Sequence, residues 1–272
     1  FKITGSLGGG GTSSETAGVG ASVIIFLQEN LSTAEIRDGV RLYAVNADVK
    51  SDTDILNVVI SAAGGEGGKF GFEGTFTLLD LNNGTTAWVS NTARLVVVNN
   101  VNVMAKDNTF IVDASGVIAQ SGNIGVGGTV ALNTVKRNTK ATVGSPLETG
   151  GVGKPALGEL TIKADNVNIE AMNDGFILSL GVAGAVAKTK TDPDPNASKS
   201  APKGGGNYGV GISACVVINN IQDEVMAALR MVSLEARKLI IASKNYTRVI
   251  SAGGSVAIVT KDGTSAALAG AY

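Results

Sequence analysis

The sequence holds no histidine among its 272 residues, so any acid–base chemistry would fall to carboxylates. The absence removes the commonest general base, the usual partner of a Ser or Cys nucleophile and the commonest neutral metal ligand. Asp48, Asp52, Asp54, Asp107, Asp113, Asp165, Asp174, Asp192 and Asp194 are the candidates, and they read as scattered turn residues. Only Asp52-x-Asp54 and Asp192-x-Asp194 form close pairs. Stacked on a repeating β scaffold, such pairs could hold calcium or cleave a polysaccharide. Aromatic residues are only 4% of the chain, which leaves few rings to stack a sugar. Solvated turns explain the acids better, and no catalytic, metal-binding or cofactor-binding residue is expected.

The other chemistry-bearing features point the same way. Gly8-Gly9-Gly10-Gly11-Thr12 lacks the Lys that a phosphate-cradling loop needs, and Gly150-Gly151-Val152-Gly153-Lys154 runs into Pro155 where Ser or Thr is required. The Gly-Gly-x-Gly-x-Asp calcium repeat is absent. Cys215 is the one cysteine and sits in an apolar run, so it reads as a small buried hydrophobe. The net charge of −1 gives no electrostatic case for nucleic acid or an anionic membrane. No run of apolar residues is long enough for a spanning helix.

The elements that would position any site are repeats. A Ser followed by small residues and Gly recurs at Ser6, Ser61, Ser115, Ser179 and Ser251, at intervals of 55, 54, 64 and 72 residues. About four units of roughly 54 residues therefore fill the chain, which is the signature of a stacked-repeat architecture. Each unit opens with glycine and a β-rich run, at Gly18, Gly71, Gly125 and Gly209. Its second half carries apolar-x-apolar-x-small twice, as in Leu160-x-Ile162-x-Ala164 and Val167-x-Ile169-x-Ala171. That alternation has period two, so it predicts strand. In the second unit Val96-x-Val98 takes this place, with Arg94 at the first apolar position. Asn99-Asn100 and Asp165-Asn166 read as corners between paired strands, and Asp38-Gly39, Asn83-Gly84, Asp174-Gly175 and Asp262-Gly263 as further turns. Gln222 to Lys238 has a helix-compatible composition, but its register matches strands of the other units, so β structure is expected.

The predicted fold is an all-β, right-handed parallel β-helix, one β-solenoid segment over residues 1–272 of a longer protein. Two or three coils per unit would give ten or more coils and a rod about 50 Å long. Two loop insertions interrupt it, at 144–158 and 190–206, and together they hold all five prolines. Loops thrown out of a repeat rod are where binding usually lives. The second insertion offers Lys190, Asp192, Asp194, Asn196, Lys199 and Lys203 as binding residues.

Gly125 to Asn133, the Thr139 to Gly144 stretch and the doubled pattern of Leu160 to Ala171 resemble the repetitive passenger regions of large type V secreted bacterial exoproteins. The similarity is to leukotoxin-like and filamentous-haemagglutinin-like adhesins. It implies a right-handed β-helical rod, secretion or display at the bacterial cell surface, and an outer-membrane transporter as a partner during export. It supplies no catalytic residues. The expected function is a non-catalytic rod whose loops meet a host-cell surface receptor or glycan in adhesion or cytotoxicity. The alternatives are a purely structural stalk and, less favoured, a polysaccharide-active enzyme. Open coil edges at either end would also allow end-to-end self-association.

Overall fold

The computed structural model describes residues 2–10, 13–14, 16–144, 161–188, 208–260 and 264–271. Strands account for nearly all of them: β1 (Lys2–Gly10), β2 (Ser13–Ser14), β3 (Ala17–Ile36), β4 (Arg41–Gly67), β5 (Phe70–Val89), β6 (Arg94–Ser121), β7 (Ile124–Gly144), β8 (Thr161–Lys188), β9 (Tyr208–Arg230), β10 (Ser233–Thr260) and β11 (Thr264–Ala271). One sheet has the order β1-β4-β6-β8-β10, with β2 also on β4, and the other has the order β11-β9-β7-β5-β3. Every pairing is parallel. The chain runs along one sheet, turns, and returns along the other. The protein is thus an all-β parallel solenoid, as its period-two alternation predicts.

Each unit makes one coil, not two or three. The strands from β3 to β10 run for 20 to 28 residues, and each sheet stacks four of them with one shorter strand, β1 or β11, at an edge. At the ordinary spacing of parallel strands the stack is about 20 Å deep, so the solenoid is short and broad. The cause lies in the doubled apolar pattern. Its two halves follow one another along a single strand, separated by irregularities at Ala44/Asn46 and Val96/Asn100. The Asn/Asp breaks are therefore bulges in a continuing strand, not corners. Asn46, Asn100 and Asn166 stack there, with Asn100 donating to Asn46 at 3.2 Å and Asn166 to Asn100 at 2.8 Å.

Three sequence readings shift accordingly. Leu95 and Val97, in register with Leu42 and Ala44, fill the apolar positions of the second unit. Arg94 pairs with Arg41 and is no departure; the extra residue is absorbed in the bulge. Gly211, not Gly209, aligns with Gly125. Of the described Asn-Gly and Asp-Gly steps only Asp38-Gly39 is a turn; Asn83-Gly84 and Asp174-Gly175 lie inside β5 and β8. Asp262-Gly263 falls outside the described residues. The Gln222 to Lys238 segment is strand, broken at Met231 (φ 52°) where β9 turns into β10.

The interior changes character along the coil. Near the β5–β6 corner it is aliphatic, with Val89, Leu95, Val101, Val103 and Ile169 at its centre. A middle cluster holds Val59, Leu79, Ile111 and Ile177. Toward the other corner the residues shrink to Ala63, Ala131, Ala183 and Cys215. Finally the two sheets meet on glycine. A Cβ on Gly18 would lie 2.6 Å from the Glu66 carbonyl oxygen, on Gly71 2.4 Å from that of Gln120, and on Gly125 3.0 Å from that of Val186. Glycine is needed there for close approach of backbone to backbone.

Neighbouring glycines thus have opposite roles. A Cβ on inward Gly127 would overlap the Gly184 carbonyl oxygen, whereas one on outward Gly128 would meet nothing within 4 Å. Gly127→Ala is expected to destabilise the fold by about 1–3 kcal/mol through overpacking. Gly128→Ala should be neutral or stabilising by up to about 1 kcal/mol. Denaturant midpoints of the two variants check this directly.

Candidate functional site

Lys190, Asp192, Asp194, Asn196, Lys199 and Lys203 lie outside the described residues, as does 145–158 of the first insertion. The strands on either side place the two insertions. The first follows β7 and precedes β8; the second follows β8 and precedes β9. They therefore leave from opposite ends of β8. Across the first the register lengthens, because Asn166 stacks on Asn100 at a separation of 66 residues where Asn100 stacks on Asn46 at 54, and across the second Ser233 pairs with Thr161, 72 residues apart.

The start of the first insertion is well defined. Gly144 closes β7 at φ 99°, and a Cβ there would overlap the carbonyl oxygen of Arg230 on β9, so only glycine fits. Its own carbonyl accepts a hydrogen bond from the Trp88 indole at 3.0 Å. Trp88, the single tryptophan of the chain, lines a hollow of about 300 Å³ on the outer face of its sheet. Thr33, Glu35, Thr86, Lys140 and Thr142 line it too. Lys140 is shared with Glu224 at 3.1 Å and Glu35 with Arg37 at 2.5 Å. The hollow combines an aromatic ring with hydroxyls and one charge of each sign. That chemistry suits a glycan or a polar peptide segment.

The acids singled out by sequence do not converge. Asp52 and Asp54 face outward from β4, and Asp54 accepts from Asn108 of the next coil at 3.2 Å. Asp48 accepts from Asn102 in the same way at 2.7 Å. Asp165 is exposed and pairs with Arg237 at 3.1 Å. These are solvated ladders between coils. Among the described residues no three Asp, Glu or Cys side chains are grouped to hold a metal ion, and no helix is long and apolar enough to cross a membrane.

Asp107 and Asp113 correct the turn reading, because both are buried inside the solenoid at 0% exposure. Asp107 belongs to a network centred on Arg137, whose side chain is also fully enclosed. The Arg137 guanidinium donates to Asp223 through Nε at 2.8 Å and Nη2 at 2.5 Å. Its Nη1 donates to the Asp174 carbonyl at 2.8 Å and reaches Asp107 at 3.5 Å, and Nη2 also meets Thr247. Asn83 of the preceding coil donates to Asp107 at 2.9 Å, and Asn30 of the coil before that donates to Asn83 at 2.8 Å. Burial pushes Asp107 up despite Thr109, Arg137 and Asn83. Burial also works on Asp223, but there the bonds from Arg137, Thr247 and Asn245 together hold its carboxyl below the usual range. The contrast follows from geometry, since the guanidinium grips Asp223 with two bonds and touches Asp107 with one long one. With its donors saturated and its side chain fully buried, Arg137 is a lock between coils, not an anion site.

Arg137 was detectable by parity, since Val135-x-Arg137-x-Thr139 places it on the inward face. Glu73 and Asp113 are different. Neither carboxylate makes a hydrogen bond. The Asn133 amide near Asp113 is committed to Ser179 at 2.9 Å and Asn219 at 3.1 Å. Burial raises Glu73 and pushes Asp113 up to about 6, the latter opposed in part by Asn133. Burial likewise raises the Cys215 thiol, which keeps it an unreactive core residue. No protein-family model, no curated protein and no solved structure matches the chain.

Two outcomes follow. Arg137→Met strands Asp107 and Asp223 in the interior and should cost about 3–5 kcal/mol, with part recovered when both acids become Asn; urea melts measure this. Asp113 has an ordinary value of 3.8 and a folded value of about 6, so it binds its proton more tightly when folded. Its burial is harmless below its ordinary value and carries its full penalty, about 3 kcal/mol, above the folded one. Asp113→Asn should therefore raise the denaturant midpoint at neutral pH and leave it little changed near pH 4.

Proposed function

We propose that this chain is a non-catalytic rod segment of a secreted or surface-displayed bacterial exoprotein, acting in adhesion or cytotoxicity by presenting loops to a host-cell receptor or glycan. One observation carries the reading. Among the described strands the long breaks in a register of about 54 residues flank a single strand, β8, and the first begins at Gly144 against the Trp88 hollow. A repeat whose coils are otherwise joined by corners of a few residues gains nothing in its core from added length at a corner, which fits a role in binding. The resemblance to type V passenger regions supports export through an outer-membrane transporter. The single cysteine suits a chain that crosses an envelope before it folds.

The reading is tested by binding of the labelled chain to mammalian leukocytes and epithelial cells. The comparison proteins are a deletion of 190–206 and Trp88→Ala. Saturable binding that falls at least about tenfold in the deletion supports loop presentation. A fall in Trp88→Ala alone moves the contact to the hollow. Equal, negligible binding by all three proteins leaves a structural stalk.

A further inference from the structure

On the sheet that carries β3, β5, β7, β9 and β11, large side chains point outward at the glycine-closed end of the coil. Val19, Phe72, Val126, Ile212 and Leu268 form one ridge running from coil to coil. Val23, Phe76, Val130 and Val216 form a second, and Ile25, Leu78, Leu132 and Ile218 a third. Val19, Val23, Ile25 and Leu268 are 59–67% exposed. This end of the solenoid is inside out, with glycine and small residues within and aliphatic residues without. A soluble chain does not normally leave so large an apolar patch bare.

Between the first two ridges runs a groove of Ala21, Gly74, Gly128, Ala214 and Gly270. The fold itself does not need these glycines. None has a left-handed φ among those described. A Cβ would meet nothing within 4 Å at Gly128 or Gly270 and only an ordinary 3.8 Å contact at Gly74. Glycine weakens a strand, so a column of them with no internal cause marks the approach of an outside surface.

We infer that this face is a docking surface for a second copy of the same solenoid, packed sheet on sheet with the Val23–Val216 ridge of each copy in the groove of the other. Three arguments select that occupant. The ridges repeat at the interstrand spacing, which the sheet of a second copy matches residue for residue. The contact is self-complementary, because ridge and groove are adjacent and exchange places across a two-fold axis. The ridged area is about 20 Å by 25 Å, so a face-to-face pair buries on the order of 1,000 Å² in total, the lower bound for a specific interface. A lipid surface would conform to any apolar residue and gives no reason for a groove, and open sheet edges do not enter hydrocarbon. The opposite sheet lacks a continuous groove, because large and small residues alternate within its columns, as in Ile60, Ala114, Leu180 and Ala252.

The test is sedimentation equilibrium of the full chain over a dilution series, with Gly74→Val/Gly128→Val and Val23→Lys as variants. Both positions have room for a Cβ on the outer face and valine suits a strand, so the double valine variant should fold as well as the parent, checked by circular dichroism and denaturant melts. The parent should form a dimer, and each variant should weaken it at least tenfold. Three results overturn the proposal. They are a parent that stays monomeric throughout, open-ended polymers that the groove variants leave unchanged, and a monomer that sediments with phosphatidylcholine vesicles instead of pairing.

Discussion

In-register stacking is the constraint on which everything else in this molecule depends. Each inward residue sits directly over its counterpart in the next coil, about 4.8 Å away. A residue type that suits one coil therefore suits all of them, and one that does not must be answered by its neighbours. The inward column Ala34, Ala87, Ala141 and Ala227 shows the first case. The column Asn30, Asn83, Arg137 and Asp223 shows the second. Arg137 cannot be repeated without piling charge on charge, so the next coil supplies Asp223 and the facing sheet supplies Asp107. A slip by one whole unit would still set apolar residues on apolar residues in most inward columns, but it would lose this pair. The network thus specifies which coil lies on which, a task that a periodic core cannot perform alone.

The same stacking explains why the coil tapers. Aliphatic columns hold the sheets apart near the β5–β6 corner, while glycine columns let them touch at the other end. Apolar side chains displaced from the narrow end have no interior to enter and turn outward instead. Glu73 and Asp113 stand in the narrowing region without hydrogen bonds. They draw stability from the core near neutral pH and cease to do so in acid. A coil that tolerates two such groups relies on the breadth of its sheets, since each pair among β3 to β10 is held by twenty or more residues of ladder.

The sequence made the fold class, the unit length and the two insertions legible, because alternation, period and proline placement are all direct consequences of a parallel ladder. Residues per coil was not legible. Asn99-Asn100 and Asp165-Asn166 satisfy a bulge and a corner equally well, and alternation is unbroken in strand length by either. The one-residue offset that made Arg94 look anomalous has the same origin, since the bulge before Asn100 holds one residue more than the one before Asn46. Arg137, Asp107 and Asp113 were hidden because a search for apolar alternation treats a charge as an interruption. Parity with Val135, Ala105 and Ile111 places all three inside.

Where the insertions fall is also a matter of physics. A residue added within a strand shifts every following side chain to the other face unless a bulge absorbs it, as before Asn100, whereas a residue added at a corner shifts none. Long segments can therefore enter only between β7 and β8 or between β8 and β9, and equivalent corners, if the ladder is to survive. The Val143 and Gly144 register with Leu229 and Arg230 shows that it does survive, right up to the first insertion. The ladder resumes after each insertion with Thr161 on Arg94 and Val210 on Ile124. The rod is thus indifferent to what its corners carry. That indifference lets a uniform scaffold bear a unit-specific surface without cost to its core.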